Sequence, residues 1–221
     1  GRTSYMAREK TNILVIGSGI AGLTAAILAG RSGKKVVLLT KTEDPTESNT
    51  RYAQGGIVDI GEDDSKEILF DDIMKAGDGI SNPEAVRLVV NEGPRLVHDF
   101  LIDEIGVEFQ KNDSGGYNFT KEAAHSRKRI LHYFDMTGFE IERKLYARIR
   151  EIDNIDVKTN FTAIDLITTH HNTTNPLLKY RGNLCLGAYA LDNRSGKVHT
   201  FLADATVIAT GGIGRLYQYS T

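Results

Sequence analysis

The stretch that decides the fold is Ile13-Leu14-Val15-Ile16-Gly17-Ser18-Gly19-Ile20-Ala21-Gly22-Leu23. Four apolar residues read as a short buried strand. A G-x-G-x-x-G follows at Gly17, Gly19 and Gly22, and Leu23–Leu28 continue as an alanine-rich helix. Each glycine has a mechanical reason. Gly17 permits a sharp turn out of the strand, Gly19 lets a pyrophosphate approach the backbone, and Gly22 lets the helix seat closely on the sheet. The helix start then offers N–H groups and a positive dipole end to phosphate. The expected ligand site is Gly17, Ser18, Gly19, Ile20, Ala21 and Gly22. The plainer alternative is a tight strand–helix turn that holds nothing.

Outward from the finger, Lys35–Thr40 reads as a second strand parallel to the first, which makes the helix a βαβ crossover. An NAD site would close this strand with an acid for the ribose hydroxyls. Here the strand ends in Thr40-Lys41, and Glu43 and Asp44 come late. A lysine there suits a 2′-phosphate, as in NADP; the pattern also suits a flavin-adenine cofactor, or a solvated loop lysine. Residues 43–61 are polar and glycine-bearing, and include Ser48-Asn49-Thr50-Arg51-Tyr52-Ala53-Gln54-Gly55-Gly56. Their hydroxyls, amides and paired glycines favour a loop that covers a cofactor over a plain surface loop.

The chain has 221 residues with a net charge of −2, a balance that points to neither nucleic acid nor an anionic membrane. One cysteine, Cys185, excludes an internal disulfide and a cysteine metal cluster, which fits a reducing cytoplasm. Basic residues ahead of Ile13–Gly30 imitate a signal peptide, but Gly17-Ser18-Gly19 interrupts the apolar run. No stretch has the length of a membrane span. Gly1–Tyr5 before Met6 read as a tag remnant, residues 1–10 as that remnant or a disordered tail, and residues 11–221 as one domain.

Further along, Asp64–Ala76 and Asn82–Glu104 read as helices. The second has an Asn82-Pro83 start, a break at Gly93-Pro94, and an apolar face of Val86, Val89, Val90, Leu96, Val97, Phe100 and Leu101. Gly106–Tyr117 reads as a hairpin turning at Ser114-Gly115-Gly116. A helix follows Asp135-Met136-Thr137-Gly138 to about Arg150, with Thr137 and Glu140 spaced as a capping box. Strands are expected at Ile155–Thr159 and Thr162–Thr168. His170–Arg181 reads as a polar loop. A hairpin of Leu184–Asp192 and Lys197–Leu202 follows, and a last buried strand, Ala205–Thr210, ends in Gly211-Gly212.

The finger, Y-A-Q-G-G at Tyr52–Gly56, D-x-T-G at Asp135–Gly138 and A-T-G-G at Ala209–Gly212 occur together and in order. In combination they resemble the flavoprotein family of succinate dehydrogenase, fumarate reductase and L-aspartate oxidase, over nearly all of residues 11–221. E-x-x-H-S-R-x-R-I-L-H at Glu122–His132 resembles the L-aspartate oxidase branch. The resemblance implies a Rossmann-like α/β FAD-binding domain with a parallel central sheet, crossover helices and an added antiparallel β-hairpin layer. It also implies an incomplete domain, whose capping domain and C-terminal return lie beyond Thr221. FAD is the implied cofactor. Thr40 and Lys41 would lie by the adenosine ribose, Thr162 and Ala163 on the adenine side, and Asn49, Thr50, Arg51, Tyr52, Ala53, Gln54, Gly55 and Gly56 around the flavin. Thr210, Gly211 and Gly212 would close a second parallel strand over it. Respiratory members place a covalently attached histidine where Asn49 stands, so this FAD is expected to be non-covalent.

Glu122 is the implied substrate-facing residue. Aspartate is succinate plus an ammonium, and a site that prefers it needs an anion beside that ammonium. By itself Glu122 reads as a surface carboxylate paired with Lys121 or Arg127; the resemblance reverses that reading. The implied reaction is oxidation of L-aspartate to iminoaspartate by hydride transfer from Cα to flavin N5. Dioxygen or fumarate would reoxidise the flavin, as the first step of quinolinate and NAD biosynthesis, with quinolinate synthase as a possible partner. A fumarate reductase or succinate dehydrogenase flavoprotein, an NADPH-binding module and a non-catalytic flavin scaffold stand as alternatives.

Arg127-Lys128-Arg129, with His125 and His132, invites a dicarboxylate-binding reading. Strand alternation would let at most half of that cluster face one site, and Lys128 is expected on a solvated face. His170-His171 lacks the carboxylate and cysteine partners of a metal site, and His98 is expected simply to sit on its helix.

Overall fold

The computed structural model describes residues 8–171 and 173–213. The expectation for Gly1–Tyr5 lies outside them. The chain forms two compact units: the residues up to Asn49 with those from Leu145 onward, and Thr50–Lys144.

The first unit is built on a six-stranded sheet of order β5-β2-β1-β8-β7-β6. Its strands are β1 (Arg8–Ile16), β2 (Val36–Leu39), β5 (Ile155–Lys158), β6 (Phe161–Thr168), β7 (Cys185–Asp192) and β8 (Lys197–Ile208). β5, β2, β1 and β8 run parallel, while β7 and β6 are antiparallel additions. Arg8–Lys10 already pair with Thr200–Leu202, so the sheet starts inside the segment expected to be a tail. All four residues of β2 are buried, as a strand covered on both faces must be. Helix α1 (Ile20–Arg31) buries Leu23, Ala26 and Ile27. On another face, Leu14, Ile16, Val37 and Leu39 share one apolar cluster with Ala188, Ala190 and Phe201 from β7 and β8. The hairpin layer is therefore the sheet's own continuation, folded back over its parallel strands.

One strand makes that fold-back possible. Lys197–Leu202 and Ala205–Thr210 were expected as separate strands, but β8 is a single run of 12 residues. Its first half pairs antiparallel with β7, and from Thr200 onward it pairs parallel with β1. The end of β8 is not buried as expected: Ile208 is 61% exposed.

The second unit holds α3 (Lys66–Ala76), α4 (Pro83–Leu96) and a two-residue pair, β3 (Ile57–Val58) with β4 (Ile130–Leu131). Ser65 caps α3 by accepting from Ile68 N at 3.2 Å, and Asn82 caps α4 by accepting from Glu84 N at 2.9 Å. Leu69, Val86 and Val90 form their shared core, with Val58, Ile60, Phe70, Ile73 and Met74 around it. The break expected at Gly93-Pro94 is a change of helix type. α4 runs on to Leu96 and then widens into a π-helical segment, Val97–Glu104, where Ile105 N donates to Phe100 O five residues back. Val89 and Leu96 are exposed, against expectation. The buried stripe runs through Val86, Val90, Pro94 and Val97 and leaves them outside it.

The expected hairpin at Gly106–Tyr117 is a turn with a single bridge, Lys111 to Tyr117, folded around the Asn112 side chain. Helix α5 (Thr137–Ile149) begins without the expected capping box. The Thr137 hydroxyl accepts from Tyr133 N at 2.9 Å, and the buried Glu140 carboxylate takes Arg143 at 2.7 Å and Glu108 N at 3.4 Å.

Candidate cofactor and substrate site

The residues expected at the nucleotide end lie in the first unit. Gly17 has φ +111°, and a Cβ there would lie 2.2 Å from Ala209 O. A Cβ on Gly22 would lie 1.9 Å from Gly17 O and 3.4 Å from the Ala209 methyl. Both glycines are therefore required by backbone contact: Gly17 meets Ala209 just past β8, and Gly22 meets Gly17 itself. That contact places Ala209 and Thr210 on the finger; Gly211 (φ +72°) and Gly212 follow with open space around them. Gly19 is the N-cap of α1 with extended backbone and no side-chain cap, and the first turn carries no acid. With Ile20 half-buried and Ala21 exposed beside it, the donor set fits a diphosphate, the central group of FAD.

Thr40 stands where an NAD site keeps its acid. It is buried, and its hydroxyl accepts from Ser18 Oγ at 3.0 Å and lies 3.2 Å from Thr42 Oγ1. The late acids are engaged elsewhere: Glu43 pairs with Arg194 at 3.2 Å, and Asp44 Oδ1 accepts from Thr46 N at 2.9 Å. Lys41 is brought to Thr162 by a residue the sequence did not single out. Asn193 Nδ2 donates to Lys41 O at 3.2 Å and to Thr162 Oγ1 at 3.0 Å. In sequence Asn193 is only the corner of a hairpin. Ala163 packs against the apolar cluster of the sheet.

The loop expected to wrap the flavin begins in the short helix α2 (Asn49–Tyr52). Asn49 and Tyr52 are exposed, as are Ala53, Gln54, Gly55 and Gly56, while Thr50 and Arg51 are half-buried. Within the second unit, two glycines seat this loop. Gly138 N donates to Ala53 O at 3.0 Å, and a Cβ on Gly138 would lie 1.8 Å from Thr50 O. A Cβ on Gly56 would lie 2.2 Å from Leu131 O. The D-x-T-G and Y-A-Q-G-G motifs are thus one packing arrangement. Arg51 lies over the Phe139 ring at 5.6 Å.

Glu122 reaches the same loop. Its Oε1 accepts from Gly56 N at 3.2 Å. It is exposed and pairs with neither Lys121 nor Arg127 among the described residues. Oε2 has no hydrogen bond there, so half of the carboxylate is open to a cationic ligand group.

The basic cluster behaves differently from expectation. Lys121–Arg129 is a turn, with Ala124 at φ +66°, so strand alternation does not apply to it. Arg129 is fully buried. Its Nε and Nη2 donate to Asp64 at 2.7 Å each, and Nη1 donates to Asp72 at 2.7 Å. It is a structural cation with no face left for substrate. Burial raises the Asp72 carboxyl, but hydrogen bonds from Ser126 N and Oγ and from Arg129 outweigh that and hold it below its ordinary value. Asp64 and Asp72 carried no signal in sequence, since helix-start and helix-face acids are commonplace. Arg127 and Lys128 are exposed. His125 Nδ1 lies 3.4 Å from Arg129 Nη1, and His132 Nε2 is buried with no hydrogen-bond partner among the described residues. His98 Nε2 lies 2.8 Å from Oδ2 of buried Asp59. His170 Nε2 meets Arg181 O at 3.1 Å, and His171 lies 3.9 Å from Asp165.

A family model described as an FAD binding domain matches residues 12–221. The chain belongs to the FAD binding domain family. The FAD binding domain is 41% identical over 211 residues to an L-aspartate oxidase of Halobacterium salinarum, covering 96% of this chain and 39% of that protein. It is 36% identical to an L-aspartate oxidase of Clostridium acetobutylicum, covering 96% of this chain and 45% of the relative. In structure it is similar to an E. coli quinol fumarate reductase chain, with a TM-score of 0.85 and 25% identity, covering 97% of this chain and 34% of that one. The chain thus spans less than half the length of the curated relatives it matches. FAD is the cofactor of this fold, and the geometry of Gly17–Gly22 suits it.

Proposed function

We propose that this chain is the FAD-binding part, residues 11–221, of an FAD-dependent L-aspartate oxidase, with the three strand residues from Arg8 added at its start. The observation that carries the reading is the Glu122 carboxylate: one oxygen is tied to Gly56 N–H at 3.2 Å and the other has no hydrogen bond among the described residues. An anion held on the edge of the flavin-loop motif by one oxygen is suited to receive an ammonium on the other. A succinate-type site has no use for that charge.

In this proposal Gly19–Gly22 hold the diphosphate, Ser18 and Thr40 fix the turn beneath it, and Lys41 and Thr162 border the adenosine. Asn49 to Gly56 border the flavin, and Thr210–Gly212 close the far side. Asn49 offers an amide, which forms no covalent link, so the FAD is non-covalent. When bound by these residues, FAD would supply the two-electron acceptor for oxidation of L-aspartate at Cα to iminoaspartate, with dioxygen or fumarate as the terminal oxidant. The product would enter quinolinate and NAD synthesis, with quinolinate synthase as the consumer, in the cytoplasm. No described helix is long and apolar enough to cross a membrane.

The test uses the full-length protein. Aspartate-dependent peroxide release is expected, and Glu122→Gln is expected to lose aspartate turnover by about 10–100-fold while gaining on succinate, the order expected when one charge-assisted contact is removed. Wild-type turnover of succinate in preference to aspartate would overturn the reading in favour of a fumarate reductase type.

A further inference from the structure

Arg129 sits at the base of the turn that carries Glu122. Its backbone N donates to Thr120 O at 3.1 Å, and Ile130 N closes on the same oxygen at 3.1 Å. Its side chain is wholly buried, with a two-bond fork on Asp64 and a third bond to Asp72 Oδ2. The same Asp72 oxygen accepts from Ser126 N at 2.8 Å and Ser126 Oγ at 2.9 Å. Three donors from one turn therefore converge on one oxygen of helix α3. The turn is further tied inside itself by His125 N to Glu122 O at 3.3 Å, and Ala124 holds a left-handed backbone that alanine disfavours. A turn with an unfavourable residue conformation keeps it only where its surroundings over-determine it.

We propose that Arg129, Asp72 and Ser126 form a positioning clamp that holds the Glu122 carboxylate against Gly56 N–H, and so sets how strongly the site selects an amino dicarboxylate. A buried arginine satisfied on three nitrogens is a rigid post, because withdrawing either partner leaves a buried charge unmet. Ser126 links that post to the middle of the turn, four residues from Glu122. Arg129 and Ser126 touch no substrate in this proposal; they act through Glu122. The link to substrate choice rests on the reading of Glu122 given above, whereas the clamp itself does not.

The test has two arms. The first reads the Gly56 amide proton by NMR in the full-length protein. Glu122→Gln gives the shift of that amide without its carboxylate. Ser126→Ala and Asp72→Asn are expected to move the Gly56 resonance at least halfway toward that reference, with the Leu69 amide of α3 unmoved. Ser126→Thr, which keeps the hydroxyl, restores it. Should Asp72→Asn disturb α3 as a whole, Ser126→Ala decides, since it removes only an exposed hydroxyl. An unmoved Gly56 amide in Ser126→Ala overturns the clamp. The second arm measures the full-length flavoenzyme, where Ser126→Ala is expected to raise KM for aspartate about 3–10-fold with kcat little changed, the size of one ordinary net hydrogen bond felt at Glu122. A moved Gly56 amide with unchanged aspartate preference overturns the role of Glu122 in selection and leaves the clamp standing.

Discussion

At the scale of single residues, the motif glycines answer to backbone atoms. Gly138 has Thr50 O 1.8 Å from where its Cβ would stand, and neither partner can yield without moving the Tyr52–Gly56 motif. Gly138→Ala should lower stability by roughly 1–3 kcal/mol, the usual cost of overpacking, as read by urea denaturation. Ala124 is the opposite case. Its φ of +66° suits glycine, so Ala124→Gly should stabilise the folded chain by about 1 kcal/mol on the same measurement. A fall in stability would show that the methyl makes a contact that outweighs the strain. Arg129 shows where sequence reading stops at this scale. A run of three basic residues looks like a surface, and only burial against Asp64 and Asp72 makes the last of them a core residue. Glu122 stood out in sequence only through the resemblance its motif carries, and its Gly56 partner lies 66 positions away in the chain.

At the scale of elements, local chemistry set the helices well. Asn82 caps where its sequence predicts, and Ser65 caps one residue inside the expected helix start, because an Asx or Ser side chain reaches a first-turn N–H from its own neighbourhood. Asn82→Ala should therefore cost about 1 kcal/mol. Gly93 lies inside α4 with open space around its Cβ position, so Gly93→Ala should gain roughly 0.5–1 kcal/mol from reduced chain entropy. Both are read from thermal midpoints of the folded chain. The capping box failed for a different reason. Glu140 is drawn into a buried contact with Glu108 N and Arg143, and a tertiary partner outbids the local one. Proline at 94 predicts a broken helix because its missing N–H removes a bond. The chain instead re-pairs at five-residue spacing downstream, a solution that depends on Val97, Phe100 and Leu101 finding a buried face.

At the scale of the whole molecule, ionised groups set the pH range of stability. Asp72 is held below its unfolded value of 3.8, so its contribution is full above that value and is lost as the pH falls through the lower, folded one. Lys158 has the opposite sign. Burial lowers it, but Asp156 and Glu9 outweigh burial and raise it above 10.5, so its contribution is full below that value and is lost as the pH rises through the folded one. Urea midpoints should fall on both sides of a neutral plateau, with Asp72→Asn flattening the acid limb. An acid limb unchanged in that variant would assign it to other carboxylates. The 221-residue chain spans 39% and 45% of two L-aspartate oxidase relatives, and we expect it to show negligible aspartate-dependent peroxide release by itself.

The sequence by itself determined the parallel βαβ start and the Asn82 cap, each written within about a dozen consecutive residues, where spacing alone fixes geometry. The cofactor class came from four motifs spread between Ile13 and Gly212, whose combination carries the family resemblance. Tertiary structure decided the rest. It turned one 12-residue strand into both a hairpin edge and a parallel partner of β1, and so made the antiparallel layer part of the same sheet. It set Ala209 against Gly17, Gly138 against Thr50, Glu122 against Gly56 and Arg129 against two aspartates. Those pairings are long in sequence and short in space. They follow from which apolar faces must be buried together, a condition on the folded chain as a whole that no local pattern carries.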